Sequence, residues 1–392
     1  MWRSTLTAMR LADLITHLDD WYDPRWAEPW DKVGLVCGDP DQEVRRILLA
    51  VDPAAPVVDE AVEVGADLVL VHHPLLLTPV SSVAATTPKG TVLHRLISNG
   101  IALFTAHTNA DVPVDGVNDA IASALGLHDA QVLSPTDSAG LDKLVAYVHV
   151  ADVDAVRDAV TAAGAGAIGA YDSCTFSTAG EGRFRPLPGA SPAIGSIGEV
   201  AVVQEVRVES VYPRALRAQV VAALRAAHPY EEPAFDLVEL VDVPGGPATG
   251  DGPRPTRGHG RVGTLGAPVT LRRFAEHVGA VLPSTAHGVR VAGDPDREVR
   301  TVAVGAGSGE GLLEEARRAG ADVFVTSDLK HHRAGEFVEG GGPALVDVAH
   351  WAAEWTWLPV VEDKVRRAVA AAGDTVETRV STLVTDPWTF RV

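Results

Sequence analysis

Cysteine, methionine and aromatic residues are scarce in this chain: two Cys, two Met and 5% Phe, Trp and Tyr in 392 residues. Cys37 and Cys174 lie far apart and offer neither a disulfide framework nor a thiolate metal site, so a reducing, cytoplasmic setting is expected. No apolar run approaches the ~20 residues that span a bilayer, and no membrane partner is expected. The first 21 residues lack the central apolar stretch and small-residue cleavage site of a secretory signal. Leu11, Leu14, Ile15 and Leu18 recur there at helical spacing and predict an amphipathic helix. Positive charge is also short: 33 Lys and Arg against 52 Asp and Glu, a formal net charge of −19. That balance supplies no broad positive potential for a nucleic-acid backbone, so nucleic acid is not an expected partner. A small anionic substrate stays open, because bound cations would reverse the field locally.

What is present is a core and a repeat. Apolar residues make up 46% of the chain and charged residues 22%, which suits a globular protein, and the length calls for two or three domains. GDPDQEVR at 38–45 returns as GDPDREVR at 293–300, and GAD at 65–67 as GAD at 320–322. At this constant offset of 255, 12 of the 30 positions from Gly38 to Asp67 are identical to their counterparts. Such self-similarity indicates a duplicated structural unit. Each copy reads strand (RRILLAV, RTVAVGA), helix (PVVDEAVEVGA, GLLEEARRAGA), strand (DLVLVHH, DVFVTSD). Near-continuous apolar strands alternating with helices predict a mainly parallel sheet under helices. The second strand of each copy ends in polar residues, His72–His73 or Ser327–Asp328, and ligands of such sheets bind at the carboxyl ends of strands.

Between the copies the pattern changes to strand, helix, two strands, helix, strand, the βαββαβ order of a ferredoxin-like unit. A Pro- and Gly-rich stretch then leads to the second copy. The expected class is α/β: duplicated lobes at 1–140 and 259–392 forming one split domain, a ferredoxin-like α+β insert at 141–242, and a linker at 243–258.

Four stretches supply potential metal ligands. They are His72 and His73 at a strand end; Asp111, in a polar loop after the strand IALFTA; His350 and Glu354, an i, i+4 pair on one helical face; and Asp328, His331 and His332 in TSDLKHHRA. Imidazoles with carboxylates and no thiolates suit divalent first-row metals such as Zn, Mn or Fe. Adjacent histidines at a strand end do not readily share one ion, but each could serve one of two ions ~3.5–4 Å apart, with Glu354 bridging and Asp111 and His350 completing the shells. Taken singly, each residue also has an ordinary structural role: a core histidine, a surface helix pair, a turn aspartate. Asp328 and His332 are expected behind the ligands, orienting them.

WDKVGLVCGDPD, GADLVLVHHPLLL, AHTNADVPVDGVND, HPYEEPAFDLVEL, GAGSGEGLLEEA, TSDLKHHRA and DVAHWAAE, in this order across the chain, resemble the Nif-three-like dinuclear-metal-centre family, whose bacterial members are called GTP cyclohydrolase 1 type 2 homologues. The resemblance implies two divalent metals per subunit held by His72, His73, Asp111, His350 and Glu354, with Glu354 bridging and catalytic. It implies a PII-like insert and a toroidal homohexamer with its sites facing an internal cavity; His107, like Asp328 and His332, is expected in a supporting position behind the ligands. Lys32, Ser327 and His331 depart from the expected Asn, Gly and Tyr, and none of them is an implied ligand.

Two functions follow as expectations. The first is a metal-dependent hydrolase acting on a nucleotide or phosphate-bearing small molecule, with Lys89, Lys330 or Arg333 steadying phosphates. No P-loop is present. GAGSGEG at 305–311 reads as a tight strand-to-helix turn, with an amide cradle for an anion as the alternative. The second function is a non-catalytic hexameric metal-binding scaffold whose insert senses a ligand.

Overall fold

The structure, a computed structural model, describes residues 8–136, 141–168, 171–240 and 257–392. Met1–Thr136 and Thr256–Val392 form one compact unit and Asp137–Pro255 a second. The Pro/Gly linker at 243–258 lies almost wholly outside the described residues.

The first half of the larger unit runs β1 (Met9–Arg10), α1 (Leu11–Trp21), β2 (Gly34–Cys37), β3 (Glu43–Val44), β4 (Arg46–Ala50), α2 (Ala55–Val64), β5 (Leu68–Val71), α3 (Pro88–Ser98), β6 (Ala102–Thr105), α4 (Thr108–Asp111), α5 (Val117–Ala124) and β7 (His128–Pro135). The insert contributes β8 (Leu141–His149), α6 (Val153–Ala162), β9 (Thr175–Phe184), β10 (Ala201–Pro213), α7 (Arg217–Ala227) and β11 (Phe235–Glu239). The second half runs β12 (Gly258–Thr270), α8 (Leu271–Val281), β13 (Val289–Ala292), β14 (Glu298–Ser308), α9 (Leu313–Arg318), β15 (Val323–Ser327), α10 (His331–Glu339), β16 (Ala344–Val348), α11 (His350–Trp355), α12 (Leu358–Ala371) and β17 (Glu377–Val380).

Two sheets carry the duplicated lobes, in the orders β17-β4-β5-β6-β2 and β13-β16-β15-β14-β12-β7. Strands β17, β4, β5 and β6 are mutually parallel, as are β14, β15 and β16, and the remaining strands add antiparallel edges. Strands β5, β6, β15 and β16 are buried along their whole length, which is why their sequences show no alternation. α1 buries Leu11, Leu14 and Leu18 on one side, as the spacing predicts.

The repeated motifs have identical physical jobs in both copies. Gly38 (φ +128°) and Gly293 (φ +147°) sit where a Cβ would come within 2.5 Å of Ala102 and 2.8 Å of Ala344. The next residue makes an Asx turn in each: Asp39 accepts from the Asp41 N–H and Asp294 from the Asp296 N–H, both at 3.0 Å. Gly65 (φ +65°) and Gly320 (φ +68°) end the helices in the left-handed region. Asp67 then accepts from the N–H groups of Arg45 (2.7 Å) and Arg46 (2.9 Å). Asp322 does the same to Arg300 (2.9 Å) and Thr301 (2.8 Å). The repeat therefore conserves the bonds that start the first strand and stop the helix.

One local expectation changes. The polar stretch after IALFTA is a helical turn, α4, rather than a loop. It forms because Asp31 accepts from the Thr108 N–H (3.1 Å) and Oγ1 (2.6 Å), while Asn109 Oδ1 accepts from the His107 N–H (2.9 Å).

The insert forms a four-stranded antiparallel sheet in the order β11-β8-β10-β9. α6 and α7 cover one face, where Leu144, Ala146, Val148, Val208 and Tyr212 pack with Val156, Val160, Val220 and Leu224. On that face Asp142 is fully buried and accepts from Arg214 Nε (3.0 Å) and Arg217 Nε (2.6 Å).

Candidate metal centre

Four strand tips meet here. β4 ends at Asp52, β5 at His72–His73, β6 at His107 and α4, and β16 at His350 and α11. The sheets abut on their parallel cores, so these carboxyl ends share one place. Trp357, fully buried, packs edge-on to His72 with ring centroids 5.6 Å apart, and donates from Nε1 to the Tyr22 hydroxyl at 3.1 Å.

Each imidazole is anchored through Nδ1. His72 donates to the Ala106 carbonyl (2.9 Å), and Nδ1 of His73 meets Asp52 (2.7 Å). Nδ1 of His107 meets Asp31 (2.9 Å), and that of His350 meets Asp328 (2.6 Å). Asp328 holds φ +59°, and Asp52 also accepts from Thr385 Oγ1. With Nδ1 occupied, Nε2 is left to face inward. His350 Nε2 lies 2.8 Å from Glu354 Oε1, His73 Nε2 3.0 Å from Glu354 Oε2, and His72 Nε2 3.5 Å from Glu354 Oε1 and 3.7 Å from Asp111. His72 Nε2 and Glu354 Oε2 are buried and lack hydrogen bonds. A buried imidazole nitrogen and carboxylate oxygen left this way are what a cation would satisfy. Candidate ligand atoms of His72, His73 and His107 lie within 4.8 Å of one another, as do those of His73, His350 and Glu354. These His/Glu clusters can hold a metal ion.

The charges are mutually dependent. Burial alone would raise the Glu354 carboxyl, but the imidazoles of His73, His350 and His72 outweigh it and hold it well below the usual range. Burial would lower His73 and His350, yet Glu354 with Asp52 lifts the first to about 10, and Glu354 with Asp328 lifts the second to about 11. Burial, then the neighbouring Glu354, pushes Asp111 up to about 7.

A cavity of about 640 Å³ opens beside the cluster, and Trp30, His107, Asp111, His259, His350 and Glu354 are on its wall. Among the described residues lining it there is no lysine or arginine. Gly307 (φ +70°) lets the backbone approach, because a Cβ there would stand 2.6 Å from Glu354 Oε1 and 3.2 Å from His350 Nε2. The GAGSGEG stretch is the tight turn expected. It runs from the end of β14 into a 3₁₀ turn at Glu310–Leu312.

His72, His73, Asp111, His350 and Glu354 are brought together. His107 stands among them, with its ring centroid 5.1 Å from that of His72, rather than behind them. Asp328 backs His350. His332 is exposed on α10 with its ring against His331, 5.1 Å between centroids, and is not part of the cluster. Lys89 is exposed on α3, and Lys330, 78% exposed, lies 3.5 Å from Glu310. Arg333 is paired to Glu310 as well, at 3.3 Å. None of these three lines the cavity, because their flexible side chains extend from surface positions toward water.

Several residues were not singled out from the sequence. Asp52 and Asp31 orient His73 and His107. Asn118, 3% exposed, donates to the Asp111 carbonyl (3.0 Å) and accepts from the Ala306 N–H (2.9 Å), tying the two lobes beside the centre. Arg261, 2% exposed, donates to the carbonyls of Val112 (3.3 Å) and Pro113 (2.9 Å) and to Asp119 (2.5 Å), which fixes the loop after Asp111. His259 Nε2 lies 3.1 Å from Glu28 on the cavity wall. A signal for His107 does exist: AHTNAD at 106–111 and AHWAAE at 349–354 both read Ala-His-x-x-Ala-acid, at an offset of 243.

Residues 9–387 match the profile of the DUF34/NIF3 (NGG1p interacting factor 3) family. A Mycobacterium tuberculosis protein named GTP cyclohydrolase 1 type 2 homolog is 50% identical over 382 residues, 97% of each chain. One of the same name from Bacillus subtilis is 37% identical over 96% of this chain and 97% of its own. The crystal structure of a Bacillus cereus protein related to NIF3 superimposes with a TM-score of 0.65 at 36% identity, covering 99% of this chain and 100% of that one. The mixed α/β architecture and its several sheets agree with that fold. The chain belongs to the DUF34/NIF3 family.

Proposed function

We propose that this protein carries two divalent first-row cations, Zn, Mn or Fe, and is a hydrolase of a nucleotide or another phosphate-bearing small molecule. The observation that carries this is the arrangement of nitrogen atoms: four imidazoles fixed through Nδ1, their Nε2 faces turned inward, and His72 Nε2 buried without a hydrogen bond. His72, His107 and Asp111 would hold one ion and His73 and His350 the other, with Glu354, which faces both groups, between them. Cations so held lower the pKa of bound water and polarise the group under attack.

The chain's own residues do the rest. Asp52, Asp31 and Asp328 set the tautomers of the imidazoles. His259, paired with Glu28 on the cavity wall, is placed to pass a proton to a leaving group. Trp30, 57% exposed at the cavity, offers a stacking face to a planar base. Because none of the described residues on the wall is a lysine or arginine, phosphate charge would be met at the metal centre itself. The strand order of the insert supports its ferredoxin-like, PII-like reading, and a homohexamer belongs to the same proposal.

The test is to load the metal-stripped protein with Mn, Zn or Fe and screen GTP and phosphoesters, comparing wild type with Glu354→Ala. Turnover in the wild type that vanishes in the variant is expected. Full metal occupancy without turnover on any of them would leave the scaffold reading in its place.

A further inference from the structure

Two stretches of the insert, HPYEEP at 228–233 and RPLPGASPAIG at 185–195, contribute nothing to the metal centre. Their side chains build a second cavity, of about 280 Å³, against the sheet face that α6 and α7 leave uncovered. His228 fixes the turn: Nε2 donates to the Tyr147 carbonyl (3.1 Å) and Nδ1 accepts from the Tyr230 N–H (3.1 Å). Glu231 accepts from the Ser191 N–H at 2.8 Å, which fastens the Pro/Gly loop over the cavity.

The walls combine the rings of Tyr147, Phe184 and Tyr230 with the carboxylates of Glu205, Glu231 and Glu232. Glu205 reaches across β9 because position 182 is glycine; a Cβ there would stand 2.0 Å from its carboxylate oxygen. Among the described residues on the wall the one guanidinium, Arg183, is bonded to Glu181 at 2.8 Å. The Tyr230 hydroxyl is buried beside Glu205, and burial followed by that carboxylate pushes it up to about 12, so it stays neutral.

We propose that this cavity binds a small protonated amine with an apolar body. The carboxylates supply acceptors and counter-charge for the ammonium, and the rings supply cation–π and apolar contact. Among the described residues, an anion would face three carboxylates against one guanidinium, itself paired with Glu181. A neutral guest would desolvate them without compensation. The volume is at the lower limit of the usual 300–1,000 Å³ of ligand cavities, which restricts the guest to a compact molecule.

The experiment titrates the full-length, metal-loaded protein by calorimetry with three probes of one shape: phenethylamine, 2-phenylethanol and phenylacetate. Phenethylamine is expected to bind tightest, and Glu205→Gln to weaken it roughly tenfold, the loss of one charge-assisted hydrogen bond. Asp154→Asn, exposed on α6 over the opposite face of the sheet, should leave it unchanged. Glu232→Gln replaces the first variant should that one melt early. No heat from phenethylamine at millimolar concentration, equal binding of phenylacetate, or an unaltered affinity in the carboxamide variants would each overturn the proposal.

Discussion

Metal uptake should be strongly coupled to proton release. In the metal-free protein His73, at about 10, and His350, at about 11, are both protonated at neutral pH and ion-paired with Glu354. A cation binds only the neutral imidazole, so loading must expel about two protons from these residues. Asp111, at about 7, adds up to one more below neutrality. The logarithm of the apparent affinity should therefore rise by roughly two to three per pH unit between pH 6 and 7 and by roughly two between pH 8 and 9. Calorimetric titration of Zn or Mn into stripped protein, in buffers of differing ionisation enthalpy, measures the protons directly. The sign for stability is equally definite. Both folded values lie above the ordinary histidine value near 6.5, so the ion pairs stabilise the metal-free fold fully below that pH and are lost as pH rises through about 10 to 11. Proton release below one per chain, or affinity independent of pH, would refute the reading of this cluster as a charged network displaced by metal.

Gly307→Ala should lower the metal-to-protein ratio measured by elemental analysis, because its Cβ would collide with Glu354, whereas Gly311→Ala, with nothing within 4 Å, should leave it unchanged. His73→Ala should lower the same ratio while circular dichroism stays that of the wild type. Replacing residues 137–255 with a short glycine turn should leave a folded core with its full metal complement, since the Thr136 N–H already bonds the Arg257 carbonyl at 3.3 Å where β7 pairs with β12. Asp142→Asn should destabilise the insert by about 2 kcal/mol in urea titration, through loss of charged hydrogen bonds from two half-exposed arginines, without altering metal content. Because Arg217 holds the Asp142 carboxyl below its usual value, that stability should also fade in the wild type as pH drops below about 4.

The parts of this molecule visible in its sequence are those set by short-range rules. The repeat was legible because GDPD and GAD each encode a turn and a pair of backbone bonds within a few residues. His72–His73 and the His350–Glu354 pair stood out jointly, because each follows a fully buried parallel strand in its own half of the chain. His107 was harder to place. Its anchor, Asp31, is remote in sequence, and its counterpart His350 is shifted by 243 rather than 255, so an ungapped comparison misaligns them. Asn118 and Arg261 act through single bonds between lobes, which no periodicity records. Lys89 and Lys330 had the right charge, but charge in a sequence carries no direction, and the fold turns both away from the cavity. The insert's cavity depends on a loop with no repeating pattern.

The pairing of β17 with β4 has a consequence for biosynthesis. Strand β17 finishes the sheet begun by the first half of the larger unit, and the segment just beyond it delivers Thr385 to Asp52. A nascent chain emerging from its amino end cannot complete either that sheet or the candidate ligand set until residues 350–380 have been made. Copies ended before residue 350 would thus lack His350, Glu354 and a sealed β4 edge together, and would be poor in metal and open to proteolysis.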